Sequence, residues 1–184
     1  QATCDNGARC SLIGIGGSAT NDAGFGLARS LGWRFLDATN EPITNWANLI
    51  RLTRIERPVS SLRQAEIMVA VDVQNPLLGS TGASRIYGPQ KGLRTEDIPL
   101  AESCLERLAQ IAGEELQLPP SVPGDGAAGG LGFGLRCFLG ARLESGFSLF
   151  ARYAGLEERI KAAQLVLTGE GAIDSSTLMG KGGG

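Results

Sequence analysis

The clustering of glycine is the feature of this 184-residue chain that most constrains its fold. Most of the 27 glycines fall within four stretches, residues 14–26, 79–92, 124–134 and 169–184. Glycine adopts positive φ readily and lets a backbone approach a ligand or another backbone closely. The clusters therefore predict four specified loops rather than a flexible linker. Where such loops follow strands, their backbone N–H groups can converge on an anion, most often a phosphate.

The segments between and around these loops predict an α/β fold. Short apolar runs predict buried strands, and apolar residues at helical spacing predict helices. The predicted strands are residues 11–15, 33–36, 67–73 and 164–168. The predicted helices are residues 21–31, 95–116, 131–139 and 156–163, whereas residues 43–50 are ambiguous. Strands that alternate with helices favour a mostly parallel sheet with flanking helices.

The helix predicted over residues 95–116 carries the most detailed expectations. Thr95 is its expected N-cap, and acids follow in the first turn, where the helix dipole favours them. Its apolar face is expected to consist of Leu100, Cys104, Leu108 and Ile111. Cys104, together with Cys137 in the next helix, is expected to be a small core residue rather than part of a zinc site.

The absence of histidine limits the chemistry of the chain. Histidine-dependent nucleophiles, bases and metal sites are excluded, which leaves carboxylates, Lys, Arg, hydroxyls and backbone amides. The net charge is −2 and the basic residues are scattered, so no nucleic-acid surface is expected. No apolar run reaches the roughly 18 residues of a membrane span, and no signal pattern is seen, so a cytoplasmic protein without membrane contact is expected.

The first glycine cluster allows two interpretations. Residues 14–19 match the pattern G-x-G-x-x-A, and Asp37 closes the next predicted strand, which together resemble a dinucleotide fingerprint and an NAD-dependent oxidoreductase. Asp22 counts against this interpretation, because its carboxylate would lie where the pyrophosphate should bind. With Mg²⁺ present, the same carboxylate becomes useful, because Mg²⁺ is held by one or two carboxylates and phosphate oxygens.

Further acids follow predicted strands. Asp72 comes directly after the most β-branched strand, where it can either face a ligand crevice or cap the next turn. Glu170 and Asp174 follow the last predicted strand beside Thr168, and together they could bind a metal or act as a general base. Lys91 lies in a rigid turn between glycines, which favours contact with a phosphate or carboxylate.

The two remaining glycine clusters carry weaker signals. Residues 124–134 contain too much glycine to form a stable helix by propensity alone, so they predict a loop that opens a helix. Close approach to a ligand and close approach to another backbone both remain open for this loop. Residues 179–182 only partly match a Walker A motif, so a P-loop kinase is not expected.

Five motifs occur in a fixed order along the chain: GIGGSATNDAG (14–24), DVQNPLLG (72–79), YGPQKG (87–92), GDGAAGGLG (124–132) and TGEGAID (168–174). Together they resemble the motif set of the bacterial type I glycerate kinases. The resemblance implies a two-domain α/β enzyme that uses ATP and Mg²⁺ to phosphorylate D-glycerate, generally to 2-phosphoglycerate. That reaction is an organic acid phosphorylation with small-molecule substrates.

The resemblance also implies that residues 1–184 are the central part of a longer chain. The P-D-S-F-K and A-D-G-G-E-G motifs of the family do not occur, and the family continues beyond its GEG motif. Gln74 stands where an Asp is frequent, which leaves Asp72 as the better candidate for a metal ligand. A non-catalytic fragment that binds a nucleotide or a carboxylate is the alternative function.

The predicted site draws on all four glycine clusters. The catalytic candidates are Asp22, Asp72, Asp174 and Lys91, and the candidate metal ligands are Asp72, Glu170 and Asp174. The candidate substrate and phosphate contacts are Gly16, Gly17, Ser18, Thr20, Asn75, Gly126, Gly129, Gly130, Gly169 and Gly171.

Overall fold

A three-stranded parallel sheet forms the centre of the fold. The computed structural model describes residues 7–59, 66–119, 121–167 and 169. Its strands are β1 (Cys10–Gly14), β2 (Arg34–Leu36), β3 (Arg54–Glu56), β4 (Glu66–Val71) and β5 (Arg142–Ser145). The parallel sheet has the order β1-β4-β5, whereas β2 and β3 form a separate antiparallel pair. The predicted α/β fold with a mostly parallel sheet is confirmed.

Six helices accompany the strands in the described part of the chain. They are α1 (Phe25–Ser30), α2 (Ala83–Tyr87), α3 (Ile98–Leu116), α4 (Ala127–Leu139), α5 (Gly146–Ala154) and α6 (Leu156–Ala162). Short 3₁₀ turns cover Trp46–Arg51, Pro89–Lys91 and Thr95–Asp97. The ambiguous segment around residue 46 is therefore helical, and the Asn45 side chain caps it by accepting a hydrogen bond from the Ala47 N–H at 3.0 Å. None of the helices in the described residues is long and apolar enough to cross a membrane.

The central strand β4 determines where the loops meet. Its sequence EIMVAV is rich in apolar and β-branched residues, and Val69 is fully buried between β1 and β5. Gly14 at the end of β1 pairs with Ala70 near the end of β4. The loops that follow these two strands therefore leave the sheet side by side, at the edge where parallel sheets bind ligands.

The main hydrophobic core lies between α3, α4 and the β2–β3 pair. Phe35 is surrounded by Phe25 and Phe138, with ring centroids 4.8 and 5.6 Å away. α3 contributes the buried residues Ala101, Cys104, Leu105, Leu108, Ile111 and Ala112. Each large side chain in such a core contributes roughly 1.5–3 kcal/mol through burial. The expected burial of Cys104 and Cys137 is confirmed.

Two expectations for α3 were wrong. Leu100 is 48% exposed, because it lies at the edge of an apolar face that is centred on Ala101, Cys104 and Leu108. Thr95 does not cap the helix: it begins a 3₁₀ turn, and the α-helix starts at Ile98 without a side-chain cap. Proline lacks an N–H, so Pro99 fits best in the first helical turn, and this favours the later start.

The predicted strand over residues 164–168 is also not observed where the structure describes it. Residues 164–167 are irregular, and the apolar side chains of Leu165, Val166 and Leu167 are exposed. A strand requires a neighbour for its backbone N–H and C=O groups, and no described strand pairs with this segment. The short β5 occupies the sheet position next to β4 instead.

Candidate functional site

A cleft of about 220 Å³ opens at the carboxyl edge of the parallel sheet. Its walls come from the loop after β1, the end of β4 with the loop that follows it, the segment from α2 into the next 3₁₀ turn, and the start of α4. The lining residues are 15–18, 70–73, Tyr87, Gln90, Lys91, Ala127 and Ala128. Segments from the first three glycine clusters thus meet in one place, although more than 50 residues separate the first cluster from the second.

Lys91 links two of these segments. Its Nζ donates hydrogen bonds to Ser18 Oγ and to the carbonyl oxygen of Thr20, both at 2.7 Å. Close by, the buried Asn21 Nδ2 donates to Ser84 Oγ at 3.0 Å, which ties the first loop to α2. Burial lowers the pKa of Lys91. An ammonium group has three N–H donors, so Lys91 can still direct one of them toward a bound anion.

Asp22 closes the first loop onto α1. Its Oδ1 accepts a hydrogen bond from the Gly24 N–H at 3.1 Å, and its Oδ2 accepts one from the Gly26 N–H at 2.9 Å. The carboxylate therefore occupies the helix N-terminus, as its position in the sequence predicted. Its negative charge also raises the pKa of Lys91 and partly offsets the effect of burial. Its catalytic role stays a prediction.

Asp72 is the first residue after β4, and it lines the cleft. Its side chain is exposed, and no described residue donates a hydrogen bond to its carboxylate. The capping alternative is therefore not observed, and the oxygens of Asp72 are open to a ligand. The N-terminus of α5 lies beside this carboxylate, with Gly146 as its first residue.

Asn75 lies behind the cleft wall rather than in it. Its Nδ2 donates to the carbonyl oxygen of Thr81 at 2.8 Å, and its Oδ1 accepts a hydrogen bond from the Tyr87 hydroxyl at 2.7 Å. Burial raises the pKa of Tyr87, which keeps this hydroxyl protonated as a donor. The structure thus shows Asn75 orienting Tyr87, while its contact with a substrate stays a prediction.

Tyr87 and Gln90 both line the cleft, and sequence reasoning did not select them. They belong to the motif YGPQKG, from which only Lys91 was singled out. The sequence signal for them is their closeness to Lys91: Gln90 directly precedes it, and Tyr87 lies four residues before it. In a short turn, such neighbours line the same side of a cleft.

The glycines of the first loop are open to the cleft. Gly16 and Gly17 are exposed, and a Cβ atom built on either would meet nothing within 4 Å. Space is therefore available above their backbone for a ligand. Ser18 and Thr20 hold the position of Lys91, as described above. Their contacts with phosphate oxygens stay a prediction.

The glycines of the third cluster are buried against other backbone. A Cβ atom on Gly129 would overlap the carbonyl oxygen of Thr20, and one on Gly126 would overlap that of Pro76. Gly130 is similarly close to the first loop. Of the two possibilities left open by the sequence, close approach between backbones is the one observed. Contact of these three glycines with a phosphate stays a prediction.

The fourth cluster lies mostly outside the described residues. This applies to Thr168, Glu170, Gly171 and Asp174, whereas Gly169 is described and exposed. Within residues 7–59, 66–119, 121–167 and 169, no group of three acidic, Cys or His side chains could hold a metal on its own.

The dinucleotide fingerprint is not formed. β2, which precedes Asp37, pairs with β3 and not with β1, so the βαβ unit that this fingerprint requires is absent from the described sheet. The Asp37 carboxylate is buried in a turn, where it accepts hydrogen bonds from Thr39 and from the Glu41 N–H and pairs with Arg51. The interpretation of residues 14–19 and Asp37 as a dinucleotide fingerprint, on which the NAD-dependent alternative rested, is therefore wrong.

Comparison with known proteins adds independent information. The model of the glycerate kinase family matches residues 1–183. The glycerate kinase of Halalkalibacterium halodurans is 43% identical over 181 residues, covering 96% of this chain and 48% of the relative. The glycerate 2-kinase of Escherichia coli is 42% identical over 184 residues, with the same coverage.

Structural comparison agrees with the sequence matches. A crystal structure of a protein described as glycerate kinase 2 from Salmonella typhimurium LT2 superposes with a TM-score of 0.80 at 40% identity. The match covers 96% of this chain and 48% of that protein. The chain spans about half the length of the relatives it matches.

Proposed function

Because the chain belongs to the glycerate kinase family, we propose that the complete protein transfers a phosphoryl group from ATP to D-glycerate and forms 2-phosphoglycerate. The convergence of Lys91, Asp72 and the first glycine loop on one cleft is the observation that carries this proposal. Phosphoryl transfer depends mainly on positioning and on charge stabilisation. The ammonium group, the carboxylate and the backbone N–H groups of this cleft can supply positioning and charge stabilisation without histidine. We also propose that the reaction takes place in the cytoplasm.

Lys91 is the cationic group of the proposed site. Its ammonium neutralises either a transferred phosphate or the carboxylate of glycerate, and its bonds to Ser18 and Thr20 fix its direction. The exposed backbone of Gly16 and Gly17 can direct N–H groups at phosphate oxygens. The burial that lowers the pKa of Lys91 also strengthens its attraction to an anion, because less water screens the charge.

The Asp72 carboxylate, the one acidic side chain among the described lining residues, suits Mg²⁺. Asp72 offers open carboxylate oxygens, and Mg²⁺ in nucleotide sites is typically held by one or two carboxylates and by phosphate oxygens. When bound, Mg²⁺ neutralises the negative charge on the transferred phosphoryl group. We assign Asp72 to this role, with Glu170 and Asp174 as further ligands. The base that accepts the proton of the glycerate hydroxyl is one of Asp22, Asp72 and Asp174.

The test uses the protein expressed from its complete reading frame. With ATP, Mg²⁺ and D-glycerate, ³¹P NMR should show 2-phosphoglycerate, and ATP consumption should require glycerate. Single substitutions Asp22→Asn, Asp72→Asn, Glu170→Gln and Asp174→Asn should include variants that lose about 100-fold or more in kcat. If all four variants keep near-normal kcat, the site assignment is wrong. Binding of ATP or glycerate without turnover by the unmodified protein supports the non-catalytic alternative.

A further inference from the structure

The register of the parallel sheet brings Gly146 next to Asp72. Val71 and Ser145 form the last residue pair between β4 and β5, so Asp72 and Gly146 are the first residues after the two strands. Beyond this residue pair the two segments separate. Asp72 continues into the loop that lines the cleft, and Gly146 begins α5.

The Asp72 carboxylate occupies the space in which a side chain at position 146 would lie. A Cβ atom on Gly146 would be 2.5 Å from Asp72 Oδ1 and 3.4 Å from its Cγ. The distance of 2.5 Å is too short for a nonbonded contact, so a larger residue at this position would push the carboxylate away. The neighbouring atoms are those of a side-chain end and not of backbone.

Backbone conformation does not explain the glycine at this position. Gly146 is absent from the residues with positive φ, which in the described chain include Gly140 and Gly155 on either side of it. Its φ is therefore not one that favours glycine. Because Gly146 is the first residue of α5, its small size also lets the carboxylate lie at the positive end of the helix dipole.

We propose that Gly146 is a positioning residue for Asp72. By leaving space at the start of α5, it lets the carboxylate lie between the helix N-terminus and the cleft that Asp72 lines. This inference rests on the proposed function, in which Asp72 holds Mg²⁺ or accepts the glycerate proton. Gly146 itself touches neither.

The test is the substitution Gly146→Ala in the complete protein, alone and combined with Asp72→Asn. The single variant should fold normally, because only a flexible side-chain end must move. Its kcat should fall about 10-fold to 100-fold, since a displacement of 1 Å in a catalytic group has effects of that order. Its affinity for Mn²⁺ in the presence of ATP, measured by electron paramagnetic resonance without turnover, should fall as well. The control is Gly113→Ala in α3, where an added Cβ meets nothing within 4 Å.

The double variant separates positioning from a merely structural effect. If Gly146 acts through Asp72, adding Gly146→Ala to Asp72→Asn should cause no further loss of kcat. An equal loss in both backgrounds, or a single variant with unchanged kcat and Mn²⁺ affinity, would overturn the inference. If Asp72→Asn alone keeps the activity of the unmodified protein, the assignment of Asp72 in the proposed function fails, and the positioning role fails with it.

Discussion

Lys91 and Asp125 are charged residues that are half-buried and fully buried, respectively, and their polar partners differ. Lys91 is half-buried and is held by neutral oxygens of Ser18 and Thr20, so it can still attract an anion. Asp125 is fully buried and pairs with the Arg136 guanidinium through two hydrogen bonds of 2.7 and 2.9 Å. The first arrangement suits a binding site, whereas the second has its charge already compensated and stabilises the fold.

Asp125→Ala should be strongly destabilising. It leaves Arg136, whose side chain is only 12% exposed, without its carboxylate, and it removes the acceptor of the Val122 N–H. We expect the free energy of unfolding to fall by about 3–5 kcal/mol. Urea denaturation measures this change. Glu157→Gln breaks an exposed ion pair with Lys161 and should cost less than about 1 kcal/mol. A similar decrease in the free energy of unfolding for the two variants would contradict the view that the buried Asp125–Arg136 pair matters more for stability than the exposed pair.

Asp37 should make stability depend on pH in the acid range. The hydrogen bond from the Thr39 hydroxyl is the largest cause of its lowered pKa, to which two backbone N–H groups and Arg51 add. A lowered pKa in the folded state means that the stabilisation is complete above the unfolded value of 3.8 and is lost as the pH falls through the folded value.

The comparison is between the unmodified chain and Asp37→Asn, with the free energy of unfolding measured as a function of pH. The difference in stability between them should be constant near neutral pH and should shrink as the pH falls below 3.8. A difference that stays the same throughout the acid range would show that the Asp37 carboxylate does not titrate as described.

The cysteines should differ in reactivity. Burial raises the pKa of the Cys137 thiol to about 12 and also raises the pKa of Cys104, whereas Cys10 is exposed. Because the thiolate is the reactive form, alkylation by iodoacetamide at pH 8 should modify Cys10 in the native protein and the other two only after unfolding. Peptide mass spectrometry measures this order. Equal rates at Cys10 and Cys137 in the native state would contradict it.

At the level of elements, the start of α4 shows why the third glycine cluster exists. Ala128, Gly129 and Gly130 have φ values of 57°, 71° and 86°, so the element turns through the left-handed region before it becomes a regular helix. This turn brings its backbone against the loop at Thr20. The sequence predicted a glycine-rich loop that opens a helix near residue 131, but the partner of that loop lies more than 100 residues away.

Gly129→Ala and Gly113→Ala should change stability in opposite directions. Gly129 has a positive φ, and a Cβ atom at this position would overlap the carbonyl oxygen of Thr20. We therefore expect Gly129→Ala to lower the free energy of unfolding by at least about 2 kcal/mol. Position 113 lies within α3 with free space around it, so alanine should stabilise by up to about 1 kcal/mol. Urea denaturation of both variants gives the comparison. A Gly129→Ala variant as stable as the unmodified chain would refute the close approach.

Elements with a strong local pattern could be predicted from the sequence, and elements defined by distant partners could not. β4 and α3 have clear apolar patterns, and both are observed. β5 has the sequence RLES, which gives no strand signal, and it forms because β4 offers it hydrogen-bonding partners. Residues 164–167 show the reverse case: their apolar sequence predicts a strand, but no described strand pairs with them.

At the scale of the whole molecule, the site depends on strand order. β1 and β4 are neighbours although more than 50 residues separate them, and this adjacency brings the first loop to Asp72. The sequence indicated which residues have useful chemistry, including Lys91. It could not show that Lys91 contacts Ser18 or that Asp22 and Asn75 have their polar groups engaged by the fold, because these contacts are set by packing.

The cleft lies at the carboxyl edge of the parallel sheet, and the proposed chemistry is assigned to it because the chain belongs to the glycerate kinase family. The chain spans about half the length of its relatives, so activity is to be measured on the protein from the complete reading frame. In that protein, the cleft should retain the same wall of Lys91, Tyr87 and Asp72, because described contacts hold each of its segments.

The role of the cleft is tested by measuring glycerate-dependent consumption of ATP by the Lys91→Met and Lys161→Met variants of the complete protein. Both substitutions remove one lysine charge, but Lys161 is an exposed residue of α6 outside the cleft. We expect kcat/KM to fall about 100-fold or more for Lys91→Met and to stay near that of the unmodified protein for Lys161→Met. A Lys91→Met protein with unchanged kcat/KM would contradict the claim that this cleft transfers the phosphoryl group.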